Sequence, residues 1–221
     1  MSDILLLEQS EHGIATVTLN RPEVGNAINT QMGRDLLALW THLTEAPGDW
    51  RCVWLTGAGE KIFCAGGDLK ERNGMSRAQW QQQHEIFERV SWAMVDLPLP
   101  IIASLNGHAY GGGLELALCA DFIYAADTAR MALPEVGLGI MPGMGGTQNL
   151  PRAVGERRAR EIILTGRPFT AQQALDWGLV NAVHSSADLA AQSLATAQRI
   201  AANAPLAVRQ VKKSIRYGEI G

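Results

Sequence analysis

Short apolar runs alternate with amphipathic segments along most of the chain. Two β-type runs, residues 4–9 and 14–19, are separated by Glu-His-Gly and predict a hairpin. The apolar positions between residues 32 and 43 recur at helical spacing, and the apolar run at residues 52–57 has the length of a strand covered on both faces. Together these segments predict a β-helix-β unit.

The alternation continues into the second half of the chain. A capping box at Ser76–Gln79 predicts the start of a long helix that Pro98 and Pro100 stop. Apolar strands are predicted on both sides of a glycine-rich stretch, and after Gly155 the pattern is helical, with a second capping box at Thr170–Gln173. This order of elements indicates an α/β fold with mainly parallel strands.

Composition limits the classes of protein that need consideration. A chain of 221 residues with 47% hydrophobic content can bury a full core as one large domain, or as a domain with an appendage. The net charge of −3 gives no general reason to expect nucleic acid as a partner. Three cysteines without metal-ligand or CxxC spacing indicate free thiols in a reduced compartment, and neither a signal peptide nor a membrane span is expected.

The glycine-rich stretch Gly107–Asp121 carries the first candidate chemistry. Gly111, Gly112 and Gly113 lead into an apolar helical period, so they form a loop-to-helix junction with unpaired N–H groups that suit an anion or a developing oxyanion. Glu115 follows in the first turn. Apart from His108 it is the only charged residue from position 97 to 120, which is costly unless the carboxyl is used or paired.

A second isolated carboxyl, Glu135, is the only charge between Met131 and Pro151. Two such carboxyl groups beside backbone donors are what an enzyme needs to move protons next to a carbonyl whose oxygen becomes anionic. Either glutamate alone is explained equally well as a first-turn residue that the helix dipole favours. The surrounding Gly/Pro-punctuated, nearly uncharged segment, residues 130–155, is expected to pack inside while making turns.

Residues 57–71 show a similar but weaker pattern, in which a short strand and small residues precede a polar helix start. Gly66 and Gly67 can offer backbone N–H groups to a ligand at close approach. Asp68, with Glu71 at capping-box spacing, is expected first of all to be a helix N-cap. The third glycine of a dinucleotide fingerprint is absent, and the chain also lacks a GxSxG elbow, a phosphate loop, HExxH and histidine ligand spacing.

Four basic residues share roughly one face of the last predicted helix, which Pro205 opens: Arg209, Lys212, Lys213 and Arg216. Such a face is usually solvated. Binding of a phosphate-bearing ligand or a nucleic acid is the alternative interpretation.

Five segments resemble the crotonase superfamily, most closely its enoyl-CoA hydratases, in order and spacing from about residue 4 to 217: NRPEVGNAI, FCAGGDLKE, PIIASLNGHAYGGGLELALCAD, LPEVGLGIMPGMGGTQNLPRAVG and LTGRPFTAQQALDWGLVNAV. The resemblance implies an α/β spiral of repeated β-β-α units with a helical C-terminal part, assembled as a homotrimer or a dimer of trimers in the cytoplasm. Residues 1–186 correspond to the spiral core that carries the acyl-CoA site. Residues 187–221 correspond to a helical region that is expected to be truncated, because family members usually continue for about forty residues.

The resemblance also assigns site residues. Gly67 and Gly112 match the two backbone donors of the family's oxyanion hole, and Glu115 and Glu135 match the hydratase carboxylates. Five further positions match substrate and CoA contacts: Ala27, Ala65, Gly66, Asp68 and Leu69. No metal and no separate cofactor are implied, because coenzyme A is part of the substrate.

The activity that the resemblance implies is reversible hydration of a 2-enoyl-CoA thioester in fatty acid metabolism. Glu135 would protonate Cα, and Glu115 would orient and activate the water. An enoyl-CoA isomerase or a carnitinyl-CoA-type dehydratase would use the same site on another acyl group, and an RNA-binding relative is the non-enzymatic alternative. Gly67 departs from the alanine common in simple hydratases. The sequence does not indicate the length of the acyl chain.

Overall fold

The computed structural model describes residues 2–10 and 12–218. The strands are β1 (Leu5–Gln9), β2 (Ile14–Leu19), β3 (Cys52–Gly57), β4 (Ile62–Cys64), β5 (Ile101–Leu105), β6 (His108–Tyr110), β7 (Phe122–Ala126), β8 (Arg130–Ala132), β9 (Phe169–Thr170) and β10 (Ala182–His184). The helices are α1 (Thr30–Glu45), α2 (Leu69–Arg72), α3 (Arg77–Val95), α4 (Gly112–Ala117), α5 (Gly146–Val154), α6 (Glu156–Thr165), α7 (Ala171–Asp176), α8 (Leu189–Ala201) and α9 (Pro205–Gly218).

The chain winds as a spiral because successive strands enter two different sheets. After the β1–β2 hairpin, the pairs β3–β4, β5–β6 and β7–β8 each place their first strand in a six-stranded sheet and their second in a four-stranded sheet. The sheet orders are β1-β2-β3-β5-β7-β10 and β4-β6-β8-β9. All strand pairs are parallel except β1–β2 and β8–β9. The predicted α/β arrangement of β-β-α units with mainly parallel strands is confirmed.

Helices α1 and α3 close the core on one side of the sheets. Trp40 and Phe87, one from each helix, are fully buried together with Phe63 of β4. The two helices approach closely because Gly33 has no side chain: a Cβ there would lie 2.7 Å from the Phe87 ring. Helix α8 covers the opposite face of the larger sheet, where a small second cluster forms around Ile14.

The predicted helix starts are confirmed where side chains cap them. Ser76 and Gln79 form a reciprocal capping box at α3, and Thr170 and Gln173 form another at α7. Asp68 caps α2 by accepting hydrogen bonds from two backbone amides. Its capping-box partner does not reciprocate, because the Glu71 carboxylate accepts a hydrogen bond from the backbone amide of α1's first residue, 2.9 Å away.

The prediction that the basic face of α9 is solvated is wrong for three of its four cations. Lys213 is exposed, but the other three bond to the body of the protein: Arg209 Nη2 to the carbonyl of Trp50 at 3.3 Å, Lys212 Nζ to Asp121 Oδ2 at 2.7 Å, and Arg216 Nη2 to Asp96 Oδ1 at 3.5 Å. The helix therefore docks by its basic face, which leaves the apolar side chains of Leu206, Val211 and Ile215 exposed.

The expectation that the uncharged segment packs inside is also wrong in part. Four of its apolar side chains are exposed between Glu135 and Pro142: Val136, Leu138, Ile140 and Met141. Three of them line a cavity, so their apolar character serves a concave surface rather than the core. No helix among the described residues is both long and apolar enough to cross a membrane.

Candidate active site

Two glycine turns lie against each other at one end of the four-stranded sheet. The turn with Gly66 and Gly67 follows β4, and the turn with Gly111 and Gly112 follows β6. Because β4 and β6 are parallel neighbours, their carboxyl ends meet at the same edge of the sheet. A Cβ on Gly66, whose φ is +98°, would lie 2.8 Å from the Tyr110 carbonyl oxygen, so this close approach requires glycine.

The way its turn is held leaves the amide of Gly67 without an acceptor among residues 2–10 and 12–218. The amide of Ile28 donates to the Gly66 carbonyl at 2.8 Å, and the amide of Asp68 donates to the Ile28 carbonyl at 2.9 Å. This parallel bridge uses the groups on both sides of Gly67 and not its own N–H. The amide of Gly112, at the start of α4, likewise donates to no acceptor among the residues that the structure describes. Both glycines line a cavity of about 830 Å³.

Glu115 lies in the first turn of α4 and is 2% exposed. Its carboxylate accepts three backbone N–H bonds from the loop that precedes α5: from Met144 at 2.8 Å, Gly146 at 2.9 Å and Gly143 at 3.3 Å. Burial raises the pKa of Glu115, and the three N–H bonds act in the opposite direction without cancelling it. The bonds also fix the orientation of the carboxyl group.

Glu135 begins a short 3₁₀ helix, residues Glu135–Leu138, and is 7% exposed. Its Oε2 atom is buried and has no hydrogen-bond partner among the described residues, while Oε1 would lie 3.1 Å from a Cβ built on Gly111. Burial raises the pKa of Glu135 to about 7, and the charge of Glu115 adds to the increase. Both carboxyls line the cavity that the two free amides also line.

The structure brings the four predicted central residues together and divides the other five. Ala65, Gly66 and Leu69 line the cavity, whereas Ala27 and Asp68 do not. Arg21 explains the difference, because its guanidinium donates to the Ala27 carbonyl at 2.6 Å and pairs with Asp68 at 2.9 Å. Burial alone would raise the pKa of Asp68, but these hydrogen bonds lower it. Both residues therefore hold the turn in place.

Several cavity residues were not predicted from the sequence. The most informative is Arg72, the last residue of α2, which lies on the cavity wall. Trp80 and Phe87 of α3 also line the cavity. A signal for Arg72 was available, since it lies one helical turn after Asp68 and one residue beyond the FCAGGDLKE motif. Among the described residues, no cluster of three or more His, Cys, Asp or Glu could hold a metal ion.

The sequence matches the enoyl-CoA hydratase/isomerase family over residues 9–218. The chain belongs to this family. The match covers the glycine turns and both carboxyls, and the spiral is accordingly the crotonase fold of enoyl-CoA hydratases and isomerases. Family membership makes acyl-CoA thioesters the expected class of substrate.

Individual enoyl-CoA hydratase/isomerase relatives align with nearly the whole chain. YngF of Bacillus subtilis (strain 168) is 44% identical over 218 residues, which are 99% of this chain and 84% of that protein. Carnitinyl-CoA dehydratase of Escherichia coli (strain K12) is 39% identical over 220 residues, or 98% of this chain and 81% of that protein. The crystal structure of an enoyl-CoA hydratase from Bacillus anthracis superposes with a TM-score of 0.96 at 40% identity, covering 99% of this chain and 84% of that one.

Proposed function

We propose that the protein adds water reversibly across the 2,3 double bond of a 2-enoyl-CoA thioester. One observation carries the proposal: two backbone amides with no acceptor in the described part of the chain, those of Gly67 and Gly112, line the same cavity as two buried carboxyl groups. Amides in such a pair donate to a thioester oxygen and stabilise it as it becomes enolate-like, and loss of one such donor costs about 10²–10³ in rate.

The two carboxyl groups have surroundings that suit opposite roles. The three N–H bonds to Glu115 favour its carboxylate form, which can accept a proton from water as the oxygen attacks Cβ. Glu135 has a pKa of about 7 and a free Oε2, so at neutral pH a large fraction carries the proton that Cα requires. The enolate then collapses to the 3-hydroxyacyl thioester. Reversal of the same steps dehydrates it.

The test replaces each carboxyl by an amide of the same shape. In hydration of crotonyl-CoA, followed by the loss of absorbance of the conjugated double bond, Glu115→Gln and Glu135→Gln are each expected to lower kcat by about 10²–10⁴. Glu156→Gln, a change of an exposed carboxyl paired with Arg160, is expected to leave the rate unchanged. Near wild-type rates in both cavity variants would disprove the assignment.

A dehydratase acting on a carnitinyl-like group is the second candidate, and the 39% identity to carnitinyl-CoA dehydratase favours it. The same pair of carboxyls would serve that reaction. A double-bond isomerase requires only one proton carrier, so two cavity carboxyls support water chemistry over it. Product analysis with 2-enoyl, 3-enoyl and branched thioesters separates the three activities. The hydratase and the dehydratase both form or consume a hydroxyacyl thioester but differ in the acyl group that they accept, whereas the isomerase forms no hydroxyacyl product.

A further inference from the structure

Arg72 is held in a fixed orientation on the cavity wall. Its Nε donates to Gln83 Oε1 at 2.8 Å, and Gln83, which is 1% exposed, donates in turn to Thr30 Oγ1 and to Glu71 Oε2, each at 2.8 Å. One face of the guanidinium packs on the Phe87 ring, with 5.4 Å from Cζ to the ring centroid. The buried Gln83 amide therefore fixes the orientation of Arg72 and links it to α1 and α2.

The remaining donors of Arg72 have no partner. Among the residues that the structure describes, neither Nη atom has a hydrogen-bond acceptor, and no carboxylate forms an ion pair with the guanidinium. Burial lowers the pKa of Arg72, but arginine stays protonated at any pH of interest. The charges of Glu115 and Glu71 offset part of the cost of burying this cation, and the unused Nη donors leave it able to bind a further anion from the cavity.

The guanidinium also lies directly beside the candidate oxyanion turn. A Cβ built on Gly67 would lie 3.2 Å from Arg72 Cζ and 3.5 Å from both Nε and Nη1. A methyl group at position 67 would therefore fit tightly against the guanidinium and require it to shift by a few tenths of an ångström. The phosphates of CoA are separated from the thioester by the whole pantetheine arm, so a cation at this position is far from them when the thioester oxygen is at Gly67.

We propose that Arg72 binds a carboxylate at the far end of the acyl group, and hence that the substrate is the CoA thioester of an unsaturated dicarboxylic acid. This inference rests on the proposed hydration. Arginine suits the task because its planar fork accepts a carboxylate through two parallel hydrogen bonds. An apolar acyl tail in the same position would leave the Nη donors desolvated and unpaired. Gly67 and Arg72 together would then set the acyl preference.

The experiment compares two thioesters that differ only at the acyl end. Glutaconyl-CoA ends in a carboxylate where 2-pentenoyl-CoA ends in a methyl group. The wild-type protein is expected to have a higher kcat/KM for glutaconyl-CoA. Arg72→Gln is expected to lower that value by about 100-fold, mainly through KM, since truncating one partner of a buried charge pair has an effect of this size. The kcat/KM of Arg72→Gln for 2-pentenoyl-CoA is expected to differ from the wild-type value by less than about threefold.

Two further variants complete the comparison. Arg72→Lys keeps the charge without the fork and is expected to recover part of the glutaconyl-CoA activity, and it replaces Arg72→Gln if that protein does not fold. Arg89→Gln removes an exposed arginine of α3 and is expected to behave as the wild type with both thioesters.

Three results overturn the inference. The first is a wild-type preference for 2-pentenoyl-CoA, which leaves the hydratase assignment intact. The second is an equal loss of kcat for both thioesters in Arg72→Gln, because this would place the effect on Glu115 or the oxyanion.

If neither thioester is hydrated, the proposed function fails and binding decides the role of Arg72. The third result is then equal calorimetric affinity of the wild type for glutaryl-CoA and valeryl-CoA, whereas tighter glutaryl-CoA binding that Arg72→Gln abolishes supports the inference.

Discussion

Glu115 and Glu135 are the same residue type in two different electrostatic environments. Three backbone amides point at the carboxylate of Glu115, so its negative charge is solvated by the protein itself. The Oε2 atom of Glu135 is buried with no such donor. Two carboxyls whose surroundings separate their proton affinities can act as base and acid in one reaction at neutral pH.

The raised pKa of Glu135 predicts a pH-dependent cost in stability. Between its ordinary value of 4.5 and about 7, the folded protein keeps a proton that the unfolded chain has lost, so stability falls as the pH rises through this window. The full shift corresponds to about 3 kcal/mol, and screening by cavity water reduces it to about 1–2 kcal/mol. Glu135→Gln removes this titration. Its stability relative to wild type is therefore expected to rise by that amount between pH 5 and pH 8.

Urea unfolding of both proteins across this range measures the effect. Glu156→Gln serves as the control, because its exposed carboxyl has little influence on folding. A constant difference between Glu135→Gln and wild type from pH 5 to pH 8 would contradict the raised pKa.

At the scale of elements, the site depends on the distance between α4 and β4. A Cβ on Gly113 would lie 2.3 Å from the carbonyl oxygen of Cys64 and 2.7 Å from its Cβ. Neither atom belongs to a flexible side-chain end that could move away. The first turn of α4 can therefore reach β4, and present Gly112 beside Gly67, only with glycine at position 113.

Gly113→Ala is predicted to destabilise the protein by about 1–3 kcal/mol. Alanine is the better helix former by about 1 kcal/mol, but overpacking of a closed contact costs more than this gain. Gly137→Ala is the matched control, since a Cβ there meets nothing within 4 Å. Chemical denaturation of the two variants measures the difference, and an unchanged midpoint for Gly113→Ala would show that α4 can shift without cost.

Much of the architecture could be predicted because local signals and the fold agree. Capping residues fixed the starts of α3 and α7, and isolated charges in apolar runs pointed to Glu115 and Glu135. The role of Arg72 was not predicted because its orientation depends on a hydrogen bond to Gln83. That bond forms only when α3 packs against α2. Residues 136–141 were expected inside because composition alone cannot distinguish a core from the wall of a cavity.

At the scale of the whole molecule, α9 is attached by polar contacts instead of an apolar seam. Periodicity correctly grouped three of its basic residues, Arg209, Lys212 and Arg216, on the face that docks, but it could not tell that the body of the protein would cover this face. Lys212 illustrates the result, because its Nζ is 2.8 Å from the carbonyl of Leu99 and 2.7 Å from Asp121 Oδ2. The same Asp121 carboxylate also accepts a hydrogen bond from the backbone amide of Ile101. One cation thus joins α9 to the start of β5.

Lys212→Ala is predicted to loosen α9 without unfolding the sheets. The substitution leaves the partly buried Asp121 without its cation, at a cost of about 1–3 kcal/mol. Hydrogen exchange of the α9 amides is expected to accelerate by about 5- to 150-fold, while exchange in the central strands β3 and β5 stays unchanged. Lys213→Ala removes a neighbouring exposed cation and is the control. Equal protection of α9 in the two variants would mean that the ion pair contributes nothing.

The two amides at the centre of the site, those of Gly67 and Gly112, belong to the main chain, and of the coded residues only proline lacks such a group. Any other substitution affects them only indirectly, through whether the added side chain fits its neighbours. Variants of such a protein can therefore exchange their acids, their arginine and the lining of the cavity while keeping both backbone donors.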